Sequence, residues 1–119
     1  MTIGEVSEKF GMTADTLRYY ERIGLIPPVP RNKNGIRNFD ETACGWVSFV
    51  KCMRNAGVQI EALIEYVALI QANTGIERRK NILIEQRARL QQQAETLRTT
   101  IERLDYKIAN YEKLFVNNN

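Results

Sequence analysis

The sequence predicts a mainly α-helical chain of 119 residues. It should open on a helix-turn-helix with a hairpin wing, continue through a pair of linking helices, and end in one long coiled-coil helix. Three observations carry this expectation. Two capped helical stretches flank Phe10-Gly11-Met12; Asn34-Gly35 separates two short runs carrying basic residues; and Leu83, Leu90, Leu97, Leu104 and Tyr111 recur every seven residues. The expected divisions are a head over residues 1–75, a pairing helix over 76–116 and a polar tail at 117–119.

Thr2-Ile3-Gly4-Glu5 has the spacing of a capping box, in which the Thr and Glu side chains satisfy each other's backbone N–H groups. Ile3, Val6 and Phe10 then fall on one face of a helix. Gly11 suits a helix stop. Thr13 caps the next helix, and Asp15 lies where the positive end of the helix dipole favours an anion. With Leu17 and Ile23 turned to a core, Thr16, Arg18, Tyr19 and Tyr20 project outward. A cation flanked by hydroxyls on an exposed helix matches phosphate oxygens and base edges. An ordinary amphipathic helix with a solvated Arg would show the same nine residues.

Pro27-Pro28-Val29-Pro30 cannot continue a helix. Asn34-Gly35 is the strongest short hairpin signal in the chain, with Ile36 to Phe39 as the returning strand. The wing so formed would present Arg31, Lys33, Asn34 and Arg37 to a sugar-phosphate backbone. Net charge is only +3, but residues 13–37 hold five basic groups against two acidic ones. A compact basic patch is a better nucleic-acid footprint than a diffuse excess.

Four stretches together carry a resemblance: Thr2-Ile-Gly-Glu-Val, Thr16-Leu-Arg-Tyr-Tyr-Glu, Gly24-Leu-Ile and Arg37-Asn-Phe39. The sequence resembles the MerR family of bacterial transcription regulators, through essentially its whole length. The resemblance implies a homodimer on double-stranded promoter DNA at an inverted repeat. It further implies that an overlong spacer between promoter elements is underwound for RNA polymerase. The contacts would come from Thr13, Thr16, Arg18, Tyr19, Tyr20, Arg31, Lys33, Asn34 and Arg37. The family's wing aromatic is usually Tyr; Phe39 stands there, so a phosphate contact by that hydroxyl is not expected.

Asp40 is the next cap, and its helix should run to Gly57. Ala43, Trp46, Val47, Val50 and Met53 form one apolar stripe; Gly45, Phe49, Cys52 and Ala56 form a second. Two stripes call for two partners, the second being another subunit. A further helix from about Gln59 to Asn73 places Ile60, Leu63, Ile64, Val67 and Ile70 at helical spacing. Thr74 to Glu77 repeats the capping-box pattern and opens the longest element. Arg87, Ala94, Ile101, Ile108 and Phe115 interleave with the leucine repeat, as a coiled-coil seam requires. A leucine stripe of that length must pair, so Leu83, Leu90, Leu97, Ile101, Leu104, Ile108 and Tyr111 are the expected dimerisation residues. Periodicity leaves strand direction open; the resemblance implies an antiparallel pair. Drug-binding members carry a ligand domain after the coil, and metal-sensing members carry cysteines at its end; neither pattern occurs here.

Composition excludes several functions. The chain has two cysteines and no histidine, which leaves too few ligands for a structural zinc site and no Ser-His or Cys-His catalytic pair. No catalytic residue, metal or cofactor is expected. No apolar run is long enough to span a membrane, and a cytoplasmic protein with free thiols follows. Free cysteines are most often small buried hydrophobes. The resemblance adds a reason to single out Cys52: the run from Cys44 to Gly57 is similar to the family branch that answers aldehyde, quinone or nitrosative stress through one thiol. Cys44 ranks below it. The alternative is a winged-helix protein of DNA architecture or recombination directionality without an effector, although such proteins usually lack a long coil.

Overall fold

The computed structural model describes residues 1–115. Six helices follow in order: α1 Ile3–Phe10, α2 Ala14–Arg22, α3 Glu41–Asn55, α4 Ile60–Gln71, α5 Ile76–Ala109 and α6 Tyr111–Phe115. Residues divide into two compact units, Met1–Gln86 and those from Arg87 onward.

Local chemistry accounts for the helix ends of the first unit. The Thr2 hydroxyl accepts the Glu5 N–H at 3.1 Å, and the Glu5 carboxylate accepts the Thr2 N–H at 2.8 Å, the reciprocal box expected. These hydrogen bonds to Thr2 hold the Glu5 carboxyl below its ordinary range. Gly11 adopts the left-handed φ of 64° that closes α1, and the Lys51 ammonium donates to the freed Phe10 carbonyl. A helix C-terminus favours such a cation. Thr13 accepts the Thr16 N–H, and Asp40 accepts the Ala43 N–H at 2.8 Å. At the end of α3, Gly57 has φ 88° and the Val58 N–H reaches back to the Met53 carbonyl.

Val6, Leu17, Leu25, Ile26, Val29, Phe39, Val47, Val50, Val58, Leu63 and Val67 form the core of the head. Of the first α3 stripe, Ala43, Val47 and Val50 are buried, with Trp46 and Met53 half-buried. Along the second stripe, Phe49 is half-buried, whereas Gly45, Cys52 and Ala56 are exposed. Phe49 stacks on Tyr66 of α4 with centroids 6.2 Å apart, and Trp46 meets both rings edge-on.

Two expected details differ. The wing contains a single antiparallel bridge, Arg31 to Arg37, and no strand occurs among the described residues. Pro28 and Pro30 lack the N–H groups that a longer ladder needs. Helix α5 begins at Ile76, with the Gly75 carbonyl accepting the Arg79 N–H. It then stops at Ala109 instead of running on to Val116, which lies outside the described residues. The break falls at Asn110, whose backbone N–H and side-chain amide both donate to the Tyr106 carbonyl, at 3.1 and 2.8 Å.

Burial changes along the long helix. Ile82 and Gln86 are buried. Gln86 exchanges two hydrogen bonds with Gln59, accepting its N–H at 3.3 Å and donating to its side chain at 3.1 Å. Arg78 forks onto Glu65 of α4 through two bonds of 2.8 Å. By contrast Leu83, Leu97, Ile101, Leu104, Ile108 and Tyr111 are exposed, and Leu90 is half-buried. At about 1.5 Å per residue α5 is roughly 50 Å long.

Candidate nucleic-acid interface

Helix α2 carries its polar face outward as expected. Thr13, Arg18 and Tyr19 are exposed, while Thr16 and Tyr20 are half-buried. The Thr13 and Thr16 hydroxyls lie 2.8 Å apart and already share one hydrogen bond. The Arg18 guanidinium rests 2.9 Å from the Asp15 carboxylate, with both side chains exposed. A helix-surface pair of this kind is worth roughly 0.2–0.5 kcal/mol, so it is easily broken.

Arg22 was counted in the basic patch but not among the expected contacts. It lies one turn beyond Arg18, is exposed, and sits over the Tyr19 ring at 5.2 Å. The i, i+4 spacing of the two arginines was the available signal. Together they edge the exposed face with two cations, with an amphipathic ring between them.

The wing is shaped by Asn32 more than by Asn34. The Asn32 carboxamide oxygen accepts the N–H groups of both Asn34 and Ile36, and the Asn32 carbonyl accepts the Gly35 N–H at 2.9 Å. Gly35 has φ 79°. A turn followed by a left-handed glycine is the three-residue hairpin loop, not the two-residue one that Asn-Gly most often signals. Arg31 donates to the Gly35 carbonyl at 2.8 Å. Arg31, Lys33 and Asn34 are all exposed at this tip.

Arg37 stands apart. Its Nε donates to the Glu21 carboxylate at 2.7 Å, and the side chains are 23% and 14% exposed. The other Glu21 oxygen accepts the Val29 N–H at 2.6 Å. Burial acts to raise the Glu21 pKa, but the bonds from Arg37 and Val29 and the charges of Arg37 and Arg31 outweigh it. The carboxyl is therefore held below its ordinary range. Phe39, next to this arm, is buried in the core at 1% exposure.

Residues 1–69 match the MerR HTH family of regulatory proteins. The chain belongs to the MerR family. A relative, the HTH-type transcriptional regulator AdhR of Bacillus subtilis, is 57% identical over 91 residues, 76% of this chain and 65% of AdhR. The chain thus spans just under two thirds of that relative. A MerR-family regulator of Listeria monocytogenes, known from its crystal structure, superposes with a TM-score of 0.88 at 46% identity, over 94% of this chain and 86% of that one. HiNmlR, described as a MerR-family regulator lacking the sensor domain and solved bound to promoter DNA, superposes at 0.84 with 30% identity. That match covers 94% of this chain and 90% of HiNmlR. MerR proteins are regulators and not enzymes.

The two cysteines occupy different settings. Cys52 is free and exposed on α3. Cys44 is half-buried, with its sulfur 3.7 Å from the Phe39 carbonyl. No group of three or more potential metal-ligating side chains occurs among the described residues. None of the described helices is long and apolar enough to cross a membrane.

Proposed function

We propose that the chain binds double-stranded promoter DNA as a homodimer, with α2 in a groove and the wing on the flanking backbone. The observation that carries this reading is the joint exposure of Thr13, Arg18 and Tyr19 on α2, with half-buried Thr16 among them, together with the exposed basic wing tip. Such a face offers donors for phosphates and base edges together. The likeness to HiNmlR, solved on promoter DNA, supports the same docking. The exposed seam of Leu83, Leu97, Ile101, Leu104, Ile108 and Tyr111, with half-buried Leu90, is the surface for pairing two copies, in the antiparallel sense the family resemblance implies.

Two copies on an inverted repeat would read shape as well as sequence, distorting the DNA between promoter elements to suit RNA polymerase. The signal would enter at Cys52, an exposed thiol on the α3 face left over from the core. Electrophiles such as aldehydes, or nitrosating agents, are its chemical class, the reading implied by the family-branch resemblance of the run from Cys44 to Gly57.

The test uses a fluorescent duplex enriched by the full chain from a random-sequence pool. Binding should weaken as salt rises, by about one unit of slope per phosphate contacted. Arg18→Ala and Lys33→Ala should each weaken binding and flatten that slope by about one contact. Unchanged affinity and slope in both would remove the proposed footprint.

A further inference from the structure

A carboxylate beside a DNA-binding face is electrostatically out of place, and Glu21 sits at the end of α2 next to the wing. Removing a negative charge near phosphates should by itself tighten binding. The geometry around Glu21 suggests the opposite outcome. One of its oxygens accepts the Val29 N–H, where the chain leaves for the wing; the other accepts the Arg37 Nε–H, where the chain returns. Arg37 is in turn bridged to Arg31 across the wing. A single side chain therefore ties both arms of the wing to α2.

Resting on the DNA-binding reading above, we infer that Glu21 is a positioning residue for DNA recognition: it holds the wing at a set distance from α2, and Arg37 acts through it. A carboxylate suits this task because it only accepts and can take two donors from different directions. Glutamine of the same length would turn an NH2 group toward one of the two donors. The Arg37 fork keeps its Nη groups for other partners, but its Nε direction is fixed by Glu21. Bidentate recognition depends on atoms held in place, so a wing that is present but loose loses affinity.

The experiment measures binding of the enriched duplex by full chains carrying Glu21→Gln, Glu21→Asp, Arg37→Gln and the Glu21→Gln/Arg37→Gln pair. Thermal melting confirms that each is folded at the assay temperature. Glu21→Gln should weaken binding about tenfold, the scale of one charge-assisted hydrogen bond, although it removes a negative charge. Glu21→Asp keeps the charge and withdraws the carboxylate by one methylene, so it should also weaken binding; it carries the test if the Gln variant does not fold. The double variant should bind no worse than the weaker single one, because both act on one joint. Binding by Glu21→Gln as tight as wild type or tighter overturns the inference, as does an additive double variant. A wild-type chain that enriches no duplex overturns the DNA-binding reading and this inference together.

Discussion

Glu21 and Arg37 are sixteen residues apart in sequence and 2.7 Å apart in space. Neither side chain is more than about a quarter exposed, so each would be left without its charge partner in a sheltered place if the other were removed. Replacing Glu21 by Gln should lower the stability of the head by about 1–3 kcal/mol, the usual cost of losing a hydrogen bond to a charged group. Chemical denaturation of the two proteins at neutral pH checks this.

The same joint has a pH signature. The Glu21 carboxyl titrates below its ordinary value of 4.5 in the folded chain. Its contribution is therefore present in full above that value, and is lost as pH falls through the lowered one. The stability difference between wild type and Glu21→Gln should stay constant from neutral pH down to about 5 and shrink in more acid solution. A difference that grows on acidification would contradict the depressed pKa.

Two glycines of similar openness should respond in opposite senses. A methyl group at Gly57 or at Gly45 would meet nothing within 4 Å, but Gly57 has φ 88° while Gly45 lies inside α3. Gly57→Ala should cost about 1–2 kcal/mol through the left-handed backbone alone. Gly45→Ala should stabilise by about 0.5–1 kcal/mol through helix propensity. Thermal melts of the two variants decide the matter.

Leu97 is 63% exposed in the single chain. An Asp there has little to disturb until a second copy covers it, and then an unpaired buried charge costs several kcal/mol. Leu97→Asp should thus be helical and monomeric. Sedimentation that still shows a dimer would sink the coiled-coil seam.

Cys52→Ser is expected to abolish the transcriptional response to an aldehyde and to a nitrosating agent while leaving basal DNA binding within a few-fold. Cys44→Ser, at the half-buried thiol, should keep most of it. A promoter-reporter assay dosed with each agent distinguishes the two. An undiminished response in Cys52→Ser would make that residue an ordinary surface thiol.

Legibility in the sequence followed the range of the interactions. Thr2 with Glu5, Thr13 with Thr16, and Asp40 with Ala43 act over three residues, so spacing alone revealed them. The core positions Leu17, Val47 and Val50 were readable because helical period sorts faces. Glu21 with Arg37 was not, since no period links a helix end to a hairpin arm; the sequence displayed two charges and assigned Arg37 to phosphate. Asn32 was overlooked because Asn34-Gly35 is the stronger local signal, although Asn32 organises the turn. The break at Asn110 was likewise missed: a search for Pro and Gly does not register an amide side chain that bonds back to the carbonyl one turn before it.

The paired amides of Gln59 and Gln86 bear on how this chain can be dissected or recombined with others. A fragment that stopped at residue 75, where the linker before the long helix ends, would strip Ile82 and Gln86 from the head and leave the Gln59 amide without its mate. The workable scissor point lies past Gln86. A chimaera that grafts a foreign coil onto this head should therefore inherit the native residues through that position, and splice only from Arg87 onward.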